Sequence, residues 1–261
     1  MDARQKRILQ LCVDVGETLL SNGGEISRVQ DTMERVARSC GEQHFHVYVL
    51  TNGLFASIDG EERVGSAVRA LTPGATHLGR IIAVNALSRD LAAGRETLEG
   101  AFRRLAEIRA LPYQRPVVRV LACGVGSACF AYLFGGSPVD AFAALFAGFA
   151  LEPLRMRLEQ TDAGKFISNL LGAVLVALVS FLLYQTLTAL GAPCSLNKII
   201  IGGIIPLVPG IALTTGIRDV AGGDYLSGTI RTIDALLVGA AIAFGVGFVL
   251  KMAALLPGVV L

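Results

Sequence analysis

Tryptophan is absent from this sequence, and charged residues become scarce after residue 116. Of the 261 residues, 53% are hydrophobic and 17% are charged, and the mean hydropathy is +0.59. This composition excludes an ordinary soluble protein. The charge is uneven, because 15 of the 23 basic and 14 of the 21 acidic residues lie in residues 1–116. We therefore predict a polytopic α-helical membrane protein in which a soluble domain, residues 1–116, precedes a transmembrane domain, residues 117–261.

Signals for nucleic-acid binding, metal binding and common catalytic chemistry are also missing. The net charge of +2 is small, and no basic patch is interleaved with aromatic residues, so we exclude nucleic acid as a partner. The five cysteines lack metal-ligand spacing, and His44 and His46 share one face of a predicted strand without a third ligand nearby. There is no GxSxG or HExxH motif, and Gly164-Lys165 lacks the rest of a phosphate-binding loop. We predict no metal, no cofactor, no use of ATP and no enzymatic activity.

Residues 1–116 have the pattern of an α+β domain. Helical periodicity predicts helices over 4–21 and 25–40 and again over 77–91 and 95–108. Between them, the strand-like runs 44–51 and 54–59 flank Asn52-Gly53, which predicts a β-hairpin, and 64–71 is a candidate third strand. Asp14 and Glu17 interrupt the apolar residues of the first helix, so it is not a signal peptide. We expect this domain to stay in the cytoplasm.

Five apolar segments follow, over 117–134, 138–151, 166–190, 196–215 and 230–250. A helix needs roughly 20 apolar residues to cross a bilayer, so we predict about five transmembrane helices. The second segment is short as drawn, and it either extends toward Arg157 or is re-entrant. Basic residues concentrate between the second and third segments and between the fourth and fifth, which places those loops and the N-terminus in the cytoplasm.

Pro206 and Pro209 interrupt the fourth apolar segment. Each proline lacks an N–H group and clashes with the preceding turn, so the carbonyls of Gly202 and Ile205 are expected to lose their helical partners. At membrane depth such backbone is tolerated only against protein or around a polar cavity. A new half-helix after the break would direct its positive dipole end at the bilayer centre, as in secondary transporters that bind a carboxylate. These features predict a substrate site at Gly202, Gly203, Ile205, Pro206, Pro209 and Gly210; the alternative is a kink that only aids helix packing.

Polar residues in and near the other segments have weaker functional signals. Arg218, Asp219, Asp224 and Arg231 fall in a predicted cytoplasmic loop, where the simplest interpretation is a solvated, positive-inside surface. Asp234 lies three residues after Arg231 and about one turn deeper, so we predict that the two form a gating or coupling pair, or a structural ion pair. Ser127 and Ser180 lie near mid-span, where a hydroxyl more often bonds its own helix than a substrate. Asp140 is expected to be an exposed acid at a helix N-terminus.

Several motifs resemble the threonine/serine exporter (ThrE-type) family over nearly the whole chain. They are Gly24-Glu25-Ile-Ser-Arg28-Val29-Gln-Asp-Thr32, Val84-Asn85-Ala-Leu-Ser88-Arg89, Gly202-Gly203-Ile-Ile-Pro206-Leu-Val-Pro209-Gly210, Arg218-Asp219 and Gly223-Asp224-Tyr-Leu-Ser227-Gly228-Thr-Ile-Arg231. The resemblance is to the split form of the family, in which a YjjP-like subunit works with a smaller YjjB-like membrane protein. Gln30 departs from the acidic residue expected after Arg28-Val29.

The resemblance implies a multi-pass exporter of the bacterial inner membrane for small hydroxy amino acids or small dicarboxylates such as succinate. It adds Ser227 to the candidate gating residues, and it marks Glu25, Arg28, Asn85 and Arg89 as a motif of the cytoplasmic domain. From the residues alone, Glu25 is better explained as a cap of the second helix.

The broken fourth segment and the family resemblance together predict a secondary exporter of small carboxylate-bearing metabolites. Five helices are few for a transporter built from paired repeats, and the small residues Gly239, Ala243 and Gly247 form a ridge for close helix packing. We therefore expect a YjjB-like partner, a homo-oligomer, or both. The alternative is a membrane-anchored hydrolase-like or regulatory subunit whose N-terminal domain carries the activity.

Overall fold

The computed structural model describes residues 2–60, 64–71, 74, 76–161 and 163–255. The described chain is mostly helical, with one three-stranded sheet near its N-terminus. The chain divides into two compact units, Met1–Tyr113 and Gln114–Leu261.

The elements of the first unit follow the order expected from the sequence. They are α1 (Ala3–Ser21), α2 (Ile26–Ser39), β1 (Phe45–Leu50), β2 (Gly53–Asp59), β3 (Val64–Ala70), α3 (Leu78–Ala92) and α4 (Leu98–Arg109). α1 begins with a capping box, in which the Asp2 carboxylate accepts from Gln5 N and the Gln5 side chain accepts from Asp2 N. These bonds satisfy two of the N–H groups that a helix start leaves unpaired.

The sheet is antiparallel in the order β1-β2-β3, and one of its faces contributes to the core of the unit. Leu54 and Ile58 of β2 are fully buried, whereas Phe55 between them is 46% exposed. This alternation is that of a strand with one covered face. The hairpin turn is Thr51-Asn52 rather than Asn52-Gly53, because Gly53 already pairs with Leu50.

The second unit is helical throughout its described residues. Its elements are α5 (Pro116–Leu133), α6 (Pro138–Glu159), α7 (Lys165–Ala189), α8 (Leu196–Ile204), a 3-10 turn (Ile205–Leu207), α9 (Gly210–Ala221) and α10 (Tyr225–Ala254). α8 packs on α5, α6 and α7, whereas the main neighbour of α9 is α10. The helices on either side of the proline-containing break therefore pack on different partners.

Three described helices, α5, α7 and α10, are long and apolar enough to cross a membrane. The bent pair formed by α8 and α9 raises the number to four if it counts as one span. By length and composition, the described helices therefore give three or four candidate membrane spans, not the predicted five. The difference is α6, whose 22 residues include Glu152, Arg155, Arg157 and Glu159 in its last two turns.

Candidate functional site

The fourth apolar segment folds as two helices joined by a break, as predicted from its prolines. α8 ends at Ile204, the 3-10 turn contains Pro206, and Pro209 directly precedes α9. The axes of the two helices differ by 59° at this point. Pro209 is the N-cap of α9, where the missing N–H group has no intrahelical acceptor to lose.

The backbone at the break uses one of the two carbonyls that were expected to be free. Val208 N donates to the carbonyl oxygen of Ile205 over 3.0 Å, and Gly210 N donates to the carbonyl oxygen of Val208 over 2.9 Å. The expectation for Ile205 is wrong because the chain tightens into a 3-10 turn, which closes with a bond between residues three apart. The Ile205 carbonyl is therefore already engaged by the protein.

Gly202 and Gly203 are buried contacts between helices. A methyl group on Gly202 would come within 2.5 Å of Ala131 Cβ and 2.7 Å of the Ser127 carbonyl oxygen, and one on Gly203 within 2.6 Å of Val176 Cγ1. Gly210 differs, because nothing lies within 4 Å of the position that its Cβ would take. The glycine pair thus brings α8 against its neighbours, while Gly210 faces open space.

An apolar groove of about 450 Å³ lies beside the break. Its walls come from the break and from the small-residue ridge of α10, and they are Ile204, Val208, Pro209, Gly239, Ile242, Ala243, Val246, Gly247 and Leu250. None of these side chains is charged. The groove matches the apolar surface of a neighbouring helix or lipid better than it matches a carboxylate.

α9 and the first turns of α10 form a tight hairpin that contains most of the predicted gating residues. Gly216 and Gly228 allow the two helices to touch, since a methyl group on Gly228 would lie 2.8 Å from the Gly216 carbonyl oxygen. Asp224 caps α10 by accepting a hydrogen bond from Ser227 N over 3.2 Å. The Ser227 hydroxyl is buried and has no hydrogen-bond partner among the described residues.

The hairpin pairs Arg231 with Asp219, so the predicted pair of Arg231 and Asp234 is wrong. Arg231 Nε lies 3.6 Å from Asp219 Oδ2, and the Asp219 side chain is 6% exposed. Asp234 instead contacts Lys165 Nζ at 3.0 Å, and both of these side chains are more than half exposed. The physical reason is that α9 folds back along α10 beside Arg231, whereas Asp234 is rotated toward the start of α7. Arg218 lies on the exposed side of α9.

In the first unit, the two motifs that resemble the ThrE-type family, residues 24–32 and 84–89, come together where α2 contacts α3. The Thr32 hydroxyl lies 3.4 Å from Asn85 Oδ1, and Arg35 lies 3.4 Å from the Ser88 hydroxyl. Glu25 occupies the N-cap of α2 but makes no side-chain cap bond; its carboxylate lies 3.1 Å from Arg28 Nε. The expectation that the Glu25 side chain caps α2 is therefore wrong. Arg89 is exposed on α3.

A charged network at one end of the second unit was missed by the sequence reasoning. The Glu152 carboxylate, 5% exposed, accepts from Arg119 over 2.7 Å and lies 3.3 Å from Arg155. Arg119 also reaches Glu159 at 3.0 Å, so the network links α5 to the end of α6. The available signal was Arg119 inside the first apolar segment and Glu152 directly after the second, because ionisable groups at membrane depth are rare and paired.

α8 is anchored at its first turn by two further residues. Asp140 accepts from Ser137 N over 2.7 Å and from Ser195 N over 2.6 Å, which ties the start of α6 to the N-cap of α8. Lys198 donates to the carbonyl oxygen of Phe134 over 2.6 Å. Asp140 is the acid at a helix N-terminus that the sequence predicts. It is buried, however, so the expectation that it is exposed is wrong. Within the described ranges, no three His, Cys, Asp or Glu residues are grouped to hold a metal ion.

Comparison with known proteins decides the family. The model of the ThrE family, described as "Putative threonine/serine exporter", matches residues 10–253. The chain belongs to this family. It is 24% identical over 245 residues to "Probable succinate transporter subunit YjjP" of Escherichia coli K12, covering 93% of each chain. The protein of the same name in Klebsiella aerogenes is 22% identical over 252 residues, covering 96% of this chain and 95% of the relative.

These findings confirm the resemblance inferred from the motifs. As a ThrE-family protein with several apolar helices, the chain is a multi-pass membrane protein of a transporter family. No solved structure matches it.

Proposed function

We propose that this protein is one subunit of a secondary exporter of small carboxylate-bearing metabolites in the bacterial inner membrane. The observation that carries the proposal is the 59° break between α8 and α9 inside an apolar segment of a ThrE-family chain. Broken helices at membrane depth are how many secondary transporters form their substrate sites. The site is proposed at the break, where Pro209 and Gly210 precede α9.

The proposed topology has five crossings, with α6 as the fifth span. Its 22 residues make a helix of about 33 Å, long enough for the hydrocarbon core. It runs antiparallel to α5, since Glu152 and Glu159 near its end meet Arg119 in the first turn of α5. The charges in its last turns would lie at the membrane surface, and Glu152, the deepest, is paired with two arginines.

The basic residues of the second unit support a cytoplasmic N-terminus. One end of the helices carries Arg119, Arg155, Arg157, Lys165, Arg218 and Arg231, whereas Lys198 and Lys251 belong to the other end. This bias marks the first end as cytoplasmic.

The proposed substrate class is defined by what the family and its relatives share. The family description names threonine and serine, and the two relatives are named for succinate. A carboxylate is common to all three molecules. The Ile205 carbonyl already accepts a hydrogen bond from Val208 N, so the break gives no reason to favour an amino acid over a dicarboxylate.

The proposed partner is a YjjB-like membrane subunit. Both relatives are named as subunits. The apolar groove along Gly239, Ala243 and Gly247 has the small residues that allow a neighbouring helix to approach closely. A helix of the partner in this groove would cover Val208 and Pro209, which line it beside the break.

The test is export from proteoliposomes that contain this chain and its partner, assayed with threonine, serine and succinate. The variant Pro206→Ala/Pro209→Ala should let α8 and α9 join, keep or raise thermal stability, and abolish export. Pro116→Ala is the matched control, because Pro116 is the first residue of α5 and its loss leaves that helix intact. Undiminished export by the double variant would reject the break as the substrate site, and no export by the wild-type pair would reject the function.

A further inference from the structure

A partly polar cavity lies at the end of the second unit that the proposed topology places on the non-cytoplasmic side. Its volume is about 270 Å³, and its walls are Tyr184, Cys194, Ser195, Leu196, Asn197 and Leu250. Four of these six side chains carry a polar atom, whereas none of the side chains that line the groove beside the break does. A cavity with a few polar groups is the usual form of a small-molecule site.

The polar side chains of this cavity have free hydrogen-bond donors. Ser195 is the N-cap of α8, but its hydroxyl makes no cap bond. Within the described ranges, the Tyr184 hydroxyl and the Asn197 amide have no partner in the protein either. The hydroxyls of Ser127 and Ser180 also lack a partner, but they are fully buried and line neither the cavity nor the groove. The donors that adjoin an open space are therefore those of the cavity.

The donor set of the cavity suits a carboxylate. No acidic side chain lines it, and Asp140, which contacts its wall, already accepts from Ser137 N and Ser195 N with its two oxygens. Each free hydroxyl can donate one hydrogen bond and the amide can donate two. Hydrogen bonds from such groups to a carboxylate are stronger than those to a neutral acceptor.

The cavity adjoins the groove beside the break, because Leu250 lines both spaces. From Leu250, the groove follows Val246, Ala243 and Gly239 along α10. These positions are three or four residues apart, so they lie on one face of the helix. The two spaces therefore meet at Leu250, between the proposed substrate site and the non-cytoplasmic end.

We propose that this cavity is a second, exit-side site, at which Tyr184, Ser195 and Asn197 bind the carboxylate of the metabolite after it leaves the break. The inference rests on the proposed export function and adds to it a place where the substrate is held before release. The hydroxyls and the amide replace part of the water that a carboxylate gives up on entering the membrane.

Cys194 in the cavity wall allows occupancy to be measured without transport. Its thiol becomes the only one when the other cysteines, Cys12, Cys40, Cys123 and Cys129, are replaced by alanine. Right-side-out membrane vesicles that contain this chain and its partner are treated with a membrane-impermeant trimethylammonium methanethiosulfonate, and mass spectrometry gives the rate of modification. Cys194 should react from outside, and at least one of threonine, serine and succinate should slow the reaction by occupying the cavity.

Removal of a donor should weaken this protection. The concentration that halves the modification rate should rise at least about tenfold in Asn197→Ala and in Tyr184→Phe, the usual effect of one hydrogen bond to a charged group. Thr186→Val is the control, because its hydroxyl already bonds the Leu183 carbonyl in the same helix as Tyr184. It should leave that concentration unchanged. An unaltered rate without any compound shows that a variant has kept the shape of the cavity.

Each outcome decides the inference. Protection that weakens in both donor variants but not in Thr186→Val would support the site. Equal rates with and without all three compounds would overturn it, as would protection that neither donor variant weakens, since the compound would then act elsewhere. Modification only in inside-out vesicles, or from neither side, would overturn it as well, because the cavity would not open to the exit side. Failure of the export function is seen separately, in proteoliposomes of the wild-type pair that export none of the three compounds.

Discussion

The contact between Gly202 and α5 allows a sharp prediction about helix packing in the second unit. In Gly202→Ala, the new methyl group would lie 2.5 Å from Ala131 Cβ, 2.7 Å from the Ser127 carbonyl oxygen and 2.9 Å from Ala131 Cα. Carbon atoms pack favourably at about 3.5–4.0 Å, so α8 and α5 must move apart by roughly an ångström. Two of the three obstructing atoms belong to the backbone and cannot turn away.

The expected magnitude is a destabilisation of about 1–2 kcal/mol. Overpacking of this kind costs about 1–3 kcal/mol, and alanine in a helix recovers about 0.5–1 kcal/mol relative to glycine. Gly239→Ala is the matched control, since nothing lies within 4 Å of that Cβ position in α10. It should be neutral or stabilising by up to about 1 kcal/mol, because only the helix-propensity term acts. Ala131→Gly alone should cost about 0.5–1 kcal/mol, and it should cost less when Gly202→Ala is also present.

The assay is unfolding of the purified protein in detergent, by heat or by a titration of denaturing detergent, followed by circular dichroism. Equal stability of Gly202→Ala and Gly239→Ala would refute the close approach of α8 to α5. A coupling energy of zero between Gly202→Ala and Ala131→Gly in a double-mutant cycle would refute Ala131 as the obstructing side chain.

Three further predictions concern charged groups. Asp219→Asn should cost about 2–4 kcal/mol in the same assay, because it leaves a largely buried arginine without its counter-charge, whereas the exposed Asp234→Asn should stay within about 0.5 kcal/mol. Glu152→Gln should cost a similar 2–4 kcal/mol, roughly, measured likewise, since it removes the charge that two arginines share. In the first unit, hydrogen bonds from Arg95 and a second arginine lower the pKa of Asp90. The stability it contributes is complete above the pKa of the unfolded carboxyl and is lost as the pH falls through the lower folded value, so Asp90→Asn should flatten the acid limb of a stability-against-pH curve.

Features that depend on neighbouring residues in the chain could be predicted from the sequence. Pro206 and Pro209 break a helix wherever it is placed, because the missing N–H groups and the ring clashes are properties of the residues themselves. The order of helices and strands in the first unit followed from periodicity for the same reason. Two details differed from the prediction, and each is a shift of one residue in local hydrogen bonding: the turn at Thr51-Asn52 and the 3-10 bond that engages the Ile205 carbonyl.

Contacts between distant residues were decided by the tertiary structure. The sequence placed Arg231 and Asp234 one turn apart, but the fold of α9 along α10 brought Asp219 to Arg231 and left Asp234 to Lys165. Whether the Ser127 hydroxyl bonds its own helix could not be read from its position either, because the answer depends on how closely Gly148 of α6 approaches it. An ion pair or a buried hydroxyl depends on distances of a few ångströms between elements, and a periodic pattern in one segment contains no information about those distances. The sequence by itself therefore determined the apolar segments, the break and the family, and the packing of the helices decided which polar groups meet.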